Sequence, residues 1–524
     1  MVSPQPHSGA ALLALPLMAL PLVFGYTQPP SSNFWPLLAS WGCAWGLAAL
    51  AFWQATHGVG PGRNTWAGWW SMSLVLGAVL AAAIGLVQYF AGDVGWGPWI
   101  QPSTPGQAIG NLRQRNQQAT LLSLGIWALL WTVSRLHAAL KAQPSGSVGG
   151  DQRWLGGLVG VLLAWALALL ALGSAATASR TGALQWGLVL GLLCLWRGSF
   201  GRLAGGLAVA GLCLYAAGSW LLPEWLTQWT GLPADRLLSR FADDGQGCGG
   251  RKALWSSVLY LIAQRPWTGW GWGELDYAHY MTLFPGTRFC VLLDNAHNLP
   301  LHLAVELGVP IAVLATGAVL VWLLRARPWR EADPVRQLAW GALAIIGLHS
   351  MLEFPLWYGP FQLTALIAVL LLWRRGPGAL LASGVVRAVF AGAWGAALAA
   401  GVYAGWDYWR VGQLYQPVAS RAAAYRDDTL DKVAGTRLFA DQVSFARVTT
   451  TPVTRANAQQ MHDQAERLLH FSPEPRVIEP LIESASLLGR DDEVAFHLRR
   501  YRIAYPDDYA RWVRGNERFR PPER

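Results

Sequence analysis

WAGWWSMSLVLGAVLAAAIGLVQYF, residues 66–90, runs for 25 residues without one charged side chain. At about 1.5 Å of rise per residue, a helix of this length crosses the roughly 30 Å hydrocarbon core of a bilayer with some tilt. Working outward, ten more apolar runs follow the same pattern, near 9–28, 33–53, 117–134, 154–173, 181–196, 203–222, 298–324, 338–352, 355–373 and 388–406. The expected fold is an all-α polytopic membrane protein of about 11 transmembrane helices. The first run has no basic segment before it and no small-residue cleavage site before Pro29-Pro30, so it reads as a retained helix rather than a signal peptide.

Composition agrees. Of 524 residues, 53% are hydrophobic and 13% charged, with Trp (31) outnumbering Phe (16) and Tyr (14) together. A purely cytosolic enzyme, a disordered chain, a collagen-like fibre and a disulfide-dense secreted scaffold are all poor fits to those figures. The net charge of +10 points to nucleic acid only until the charges are located. With the N-terminus cytoplasmic, thirteen basic residues fall in loops on that side: Arg63, Arg135, Lys141, Arg153, Arg197, Arg202, Arg325, Arg327, Arg330, Arg336, Arg374, Arg375 and Arg387. The short loops on the other side hold only Arg113, Arg115 and Arg180, and a long loop at 223–297 has six basic against seven acidic residues. The basicity therefore reports orientation, with positive residues inside. No nucleic-acid partner is expected; the bilayer is.

Eleven spans put the C-terminal tail on the outer side with the long loop; a miscount in the 338–352 and 355–373 pair flips it. The tail, 410–524, is a different kind of sequence, with 18 basic and 16 acidic side chains and one Trp. The expected division is thus a membrane domain at 1–409, including the loop 223–297, and a soluble helical domain at 410–524. Within the tail, ASLLGRDDEVAFHLRRYRIAYPDD (485–508) resembles the latter part of a tetratricopeptide repeat, and the domain is TPR-like on that ground. A packing cap and a partner-binding module both remain open for it. Cys43, Cys194 and Cys213 lie in apolar runs and read as small hydrophobes, whereas Cys248 and Cys290 share the outer loop. An oxidising compartment there predicts a Cys248–Cys290 disulfide.

Five polar clusters stand out. GNLRQRNQQA (110–119) carries Gln114, Arg115 and Asn116, where a lipid-headgroup anchor is the plain alternative. ATASRTGAL (176–184) places Arg180 on the side poor in positive charge, which favours an anionic partner. In GCGGRKALWSSVLYLIAQRPWTGWGWGEL (247–275), Leu254, Trp255, Val258, Leu259 and Ile262 share one helical face, predicting an amphipathic helix at the outer interface with Arg251 and Lys252 at its start. The GxxxxGK[ST] spacing is missing, so ATP hydrolysis has no support. LLDNAHNLPLHLAVELGVP (292–310) offers His297 and Asn298 at the mouth of the eighth span, with His302 and Glu306 one turn apart further in. A structural His–Glu hydrogen bond is the alternative for that last pair, while the imidazole of His297 suits proton transfer. HSMLEFPLWYGPFQ (349–362) is a tight turn bearing Glu353 and Tyr358 among aromatics that otherwise read as membrane-surface anchors.

Under one topology all five clusters face the same side. Several fixed cations, a His, amides and a phenol, with no HExxH, CxxC or acidic metal loop, suit group transfer from a lipid-linked diphosphate without cofactor or metal. A transporter or flippase of lipid-linked sugar is the non-catalytic alternative, and it should spread its polar residues through the spans instead.

GRKALW…RPWTGWGWG followed by DNAHNLPLHLAVELGVP resembles the core of the O-antigen ligase (WaaL) and Wzy polymerase superfamily. The QRN segment, the EFPLWY turn and the charged helical tail together resemble its PglL/PilO-type branch, the bacterial O-oligosaccharyltransferases. The resemblance runs from about residue 110 to the end. It implies a metal- and nucleotide-independent glycosyltransferase of the bacterial inner membrane, with active site and C-terminal domain facing the periplasm. The implied reaction moves a preassembled glycan from undecaprenyl diphosphate to Ser or Thr of periplasmic proteins such as pilins. Carried over by position, it implies catalytic roles for Arg180, Arg251 and His297, and substrate positioning by Gln114 and Tyr358. Arg115, Asn116, Lys252, Asn298 and Glu353 join these as candidate substrate-binding residues. An O-antigen ligase acting on lipid A-core, and less so a Wzy-type polymerase, are the enzyme alternatives.

Overall fold

The computed structural model describes residues 7–57, 62–142, 150–233, 235, 237, 248–373, 383–516 and 519; Arg374 and Arg375 lie outside these, and so does the side chain of Arg153. Among the described residues there are helices and no strands. Each of the eleven apolar runs is helical. They form α1 (His7–Val23), α2 (Phe34–His57), α3 (Arg63–Ala91), α4 (Arg115–Lys141), α5 (Gly150–Ala176), α6 (Arg180–Leu195) and α7 (Arg197–Thr230). After the long loop come α10 (Leu299–Leu307), α11 (Val309–Ala326), α12 (Pro334–Ser350), α13 (Gly359–Leu372) and α14 (Gly384–Gly412). Among the described residues seven helices are long and apolar enough to cross a membrane; α1, α6 and α13 are apolar but shorter.

One expectation needs correction. The run 298–324 is not one span but two helices, α10 and α11, broken at Gly308. Gly308 has φ 90°, open to glycine and strained for other residues, and a Cβ there would strike the carbonyl of Trp267. The segment after α8 (Arg251–Gln264) runs through this break: Trp270 N–H donates to Val305 O at 2.9 Å, and Val309 N–H to Pro266 O at 2.8 Å. The membrane-length helix therefore starts at Val309, and His302 and Glu306 belong to the loop.

The chain folds as two compact units. One comprises Met1–Ala242 and Leu323–Gly401, the other Asp243–Trp322 and Val402–Arg524, so most of the long loop packs with the tail rather than with the spans. In the first unit α4 is central, packing against α3, α5, α6, α7 and α12. Its core faces are buried all round, with Trp127 fully enclosed, and small residues such as Gly125 against Ala78 let the backbones approach closely.

In the second unit α8 and α9 (Leu275–Met281) share an apolar core with Phe289, Leu293 and Val305. After the short α15 (Thr429–Val433), the tail is a run of helices, α16 (Ala440–Thr450), α17 (Ala458–Leu468), α18 (Pro475–Leu487), α19 (Asp491–Ala504) and α20 (Pro506–Gly515), each packed on the next. Tyr280 of α9 joins their core, and its hydroxyl lies 3.0 Å from Nδ1 of His497.

Candidate active site

The candidate residues fall into two groups, one in each unit. In the first, Gln114 is the N-cap of α4: its extended backbone turns the chain into the helix, and its Oε1 accepts the N–H of Gln117 at 3.2 Å. The preceding turn is fixed by side chains. Gly110, at φ 60° and too close to Gln118 for a Cβ, donates its N–H to Gln88 Oε1 at 2.7 Å. Asn111 donates to the carbonyls of Val23 and Trp99, each at 2.7 Å.

Glu353, in the turn after α12, is only 7% exposed. Its Oε2 accepts Gln114 Nε2 at 3.3 Å and its Oε1 accepts Asn116 Nδ2 at 3.0 Å. Asn116 in turn accepts from Ser179 Oγ at 2.7 Å, and Ser179 caps α6, whose first residue is Arg180. Gln114, Asn116, Arg180 and Glu353, which lie in three separate stretches of sequence, are thereby brought to one place.

Tyr358 caps α13 in the same turn, its N–H donating to Pro355 O at 2.9 Å. Burial holds the pKa of Arg113 below its usual value, and the nearby Tyr358 phenol acts the other way. Nη1 of Arg113 is sealed from solvent without a hydrogen-bond partner among the described residues. Arg115 faces elsewhere: its guanidinium pairs with Asp235 at 2.6 Å.

In the second unit Arg251 and Lys252 open α8, behind a Gly250 cap with no side chain over the helix end. Lys252 is exposed. The buried face of α8 is Ala253, Leu254, Ser257, Val258 and Leu261, turned onto protein. This amends the expected membrane-facing stripe, since Leu259 lies outside that face and is 55% exposed. Spacing at i, i+4 and i+7 from Leu254 selects Val258 and Leu261, which meet Leu275, Phe289 and Val305.

One turn beyond Arg251, Trp255 Nε1 donates to Ala296 O at 3.1 Å and ties α8 to the residue before His297. His297 adopts φ 51°, a left-handed conformation uncommon for a non-glycine residue, with its N–H on Asn295 Oδ1 at 2.9 Å. Asn298 caps α10 through Leu301 N–H at 3.1 Å. Behind this turn His302 Nε2 and Glu306 Oε2 are 3.5 Å apart. Burial opposes charge on both, lowering His302 to about 4 and raising Glu306 to about 7, which fits a structural pair. Cys248 and Cys290 are joined by a disulfide with Cα atoms 5.2 Å apart. It links the start of the α8 segment to the strand of chain leading to His297.

Comparison with known proteins follows the same residues. Residues 108–133 match the protein glycosylation ligase family, 165–316 the O-antigen ligase family, and 337–518 the C-terminal part of the virulence factor membrane-bound polymerase family. Three stretches of the chain are thus similar to ligase and polymerase families of one kind, and the first of them to a protein glycosylation ligase. A general O-oligosaccharyltransferase of Acinetobacter baylyi is 30% identical to this chain over 116 residues, 22% of the chain and 20% of that relative. The matched stretch thus spans a fifth of the relative's length.

The three matches divide the candidate residues among them. Gln114 and Asn116 lie in the first, Arg180, Arg251 and His297 in the second, and Glu353 and Tyr358 in the third. With its apolar helices, the chain is a multi-pass membrane protein. From sequence, Ser179 has no assigned role, Trp255 only a place on a helical face and Arg113 only a place among the loop charges. Only Ser179 left a direct signal, a hydroxyl residue immediately before a helical apolar run; the partners of Trp255 and Arg113 are remote in sequence.

Proposed function

We propose that this chain is a protein O-oligosaccharyltransferase that moves a preassembled glycan from undecaprenyl diphosphate to Ser or Thr of periplasmic or pilin proteins. The observation that carries the acceptor class is the protein glycosylation ligase match at 108–133, which contains Gln114 and Asn116, the two amides that donate to Glu353. The acceptor oxygen forms a bond to the anomeric carbon, and the bond from that carbon to the diphosphate oxygen breaks. Arg180 and Arg251 hold the diphosphate by charge-assisted hydrogen bonds and stabilise the charge it gains on leaving. His297 takes or guides the acceptor's proton, and Gln114 and Tyr358 orient the substrate. Direct attack inverts the anomeric centre.

In this reading the protein sits in the bacterial inner membrane with about eleven spans, and its site and tail face the periplasm. The TPR-like tail docks the acceptor polypeptide. The chemistry runs on side chains alone, without metal or nucleotide.

A second reading, an O-antigen ligase with lipid A-core as acceptor, is favoured by the match at 165–316. Intact masses of periplasmic pilin-like proteins, measured with and without this gene beside a lipopolysaccharide gel, separate the two. Loss of a glycan-sized mass increment from a protein is expected. A change confined to the gel would give the ligase reading instead.

A further inference from the structure

The hydrogen bonds around Glu353 have a direction. A carboxylate only accepts, so Gln114 and Asn116 each present their NH2 to it. Their carbonyl oxygens then point away, Gln114's to the N–H of Gln117 and Asn116's to the hydroxyl of Ser179. Ser179 spends its one proton on Asn116, and its lone pairs accept the N–H of Gly182 at 3.1 Å, closing the first turn of α6. Arg180 is the first residue of that turn. Ser179 is fully buried and Glu353 nearly so, in one compact unit, which shields these bonds from competing water.

We propose that Ser179 and Glu353, joined through Asn116, are positioning residues that set the first turn of α6, and with it Arg180, against the Gln114 turn. Glu353 then acts by orienting amides rather than by binding substrate itself. The inference rests on reading Arg180 as a ligand of the donor's diphosphate. Its logic predicts distinct lesions. Ser179→Ala cuts the link between α4 and α6 but leaves Glu353 with both amides. Glu353→Gln offers one acceptor where two amides need one each, so one amide must turn over. Asn116→Ala removes only the bridge and leaves the Ser179 cap on Gly182 intact.

The test uses the full chain purified into lipid nanodiscs, with farnesyl diphosphate as a soluble probe for the diphosphate. Ser179→Ala, Glu353→Gln and Asn116→Ala should each weaken probe binding roughly tenfold, the scale of one lost buried hydrogen bond. Each should lower kcat for glycan transfer while the acceptor's KM stays constant, and Ser179→Thr, which keeps a hydroxyl, should restore most of both. The Ser179→Ala/Glu353→Gln double variant should be little weaker than either single one, because both break one chain of bonds. Wild-type probe affinity in folded Asn116→Ala, or losses that multiply in the double variant, overturns the relay. If Arg180→Ala loses the probe while the relay variants keep it, the relay alone fails. If the wild-type chain does not bind the probe, or Arg180→Ala binds as well as wild type, the diphosphate reading falls and takes the relay with it.

Discussion

His297 stands in a left-handed backbone conformation between two asparagines, one receiving its N–H and the next capping α10, so its imidazole is presented from a fixed turn. Replacing His297 or Arg251 with Ala should lower glycan transfer by about two to four orders of magnitude, the range for removal of a proton-transfer group or a charge-stabilising donor. The protein should stay folded, as judged by its elution and melting in detergent. Asp276, in the loop core, gives a pH prediction. Burial raises its carboxyl to about 7, with Asp294 and Glu274 adding to the rise and Tyr277 N–H opposing it. A carboxyl whose folded pKa is raised stays protonated in the folded state, so the fold loses stability as pH climbs from about 4 through about 7. Melting of Asp276→Asn against wild type should therefore shift in favour of the variant across that window, by on the order of 4 kcal/mol. A constant difference from pH 4 to 8 would contradict it. At the scale of single residues, sequence singles out side chains by their intrinsic chemistry, as with Arg180, Arg251 and His297, and leaves their partners unread. Partners such as Glu353 for Gln114, more than two hundred residues away, depend on helix packing that no local pattern encodes.

At the scale of elements, hydrophobic runs identify helices well, because a lipid-facing or buried helix is apolar over its whole length. They cannot show a break inside one. Residues 298–324 are apolar on both sides of Gly308, and the backbone that fills the break comes from 266–271. Gly308→Ala should destabilise this junction by about 2 kcal/mol, from strain at positive φ together with the clash at Trp267. Hydrogen exchange at the amides of Trp270 and Gly271, which donate to Val305 O and Glu306 O, would locate the effect; unchanged protection there would count against it. The Cys248–Cys290 bridge closes a segment 42 residues apart in sequence, and chain entropy alone assigns such a loop about 4 kcal/mol. Cys290→Ser should lower the melting temperature and raise protease sensitivity between α8 and His297. Intact mass after alkylation under denaturing conditions should rise by two further alkyl groups when reduction precedes the alkylation. No rise would exclude the bridge.

Over the whole molecule, the low charged fraction is an average of two regions, a membrane part with 30 of the 31 Trp and a tail rich in both charge signs. That contrast placed the change of character near residue 410, but not the grouping of the long loop with the tail, which depends on contacts such as Tyr280 with His497 and Arg500 with Met281 O. The central claim is that this chain joins a lipid-linked glycan to a hydroxyl of a protein. The most direct measurement is the intact mass of a purified pilin-type acceptor, incubated with the reconstituted full-length chain and undecaprenyl diphosphate-linked oligosaccharide, beside the His297→Ala variant. The account predicts an increment equal to the whole glycan with the wild-type chain and none with the variant. An unchanged acceptor mass with the wild-type chain, or equal increments from both, would contradict it.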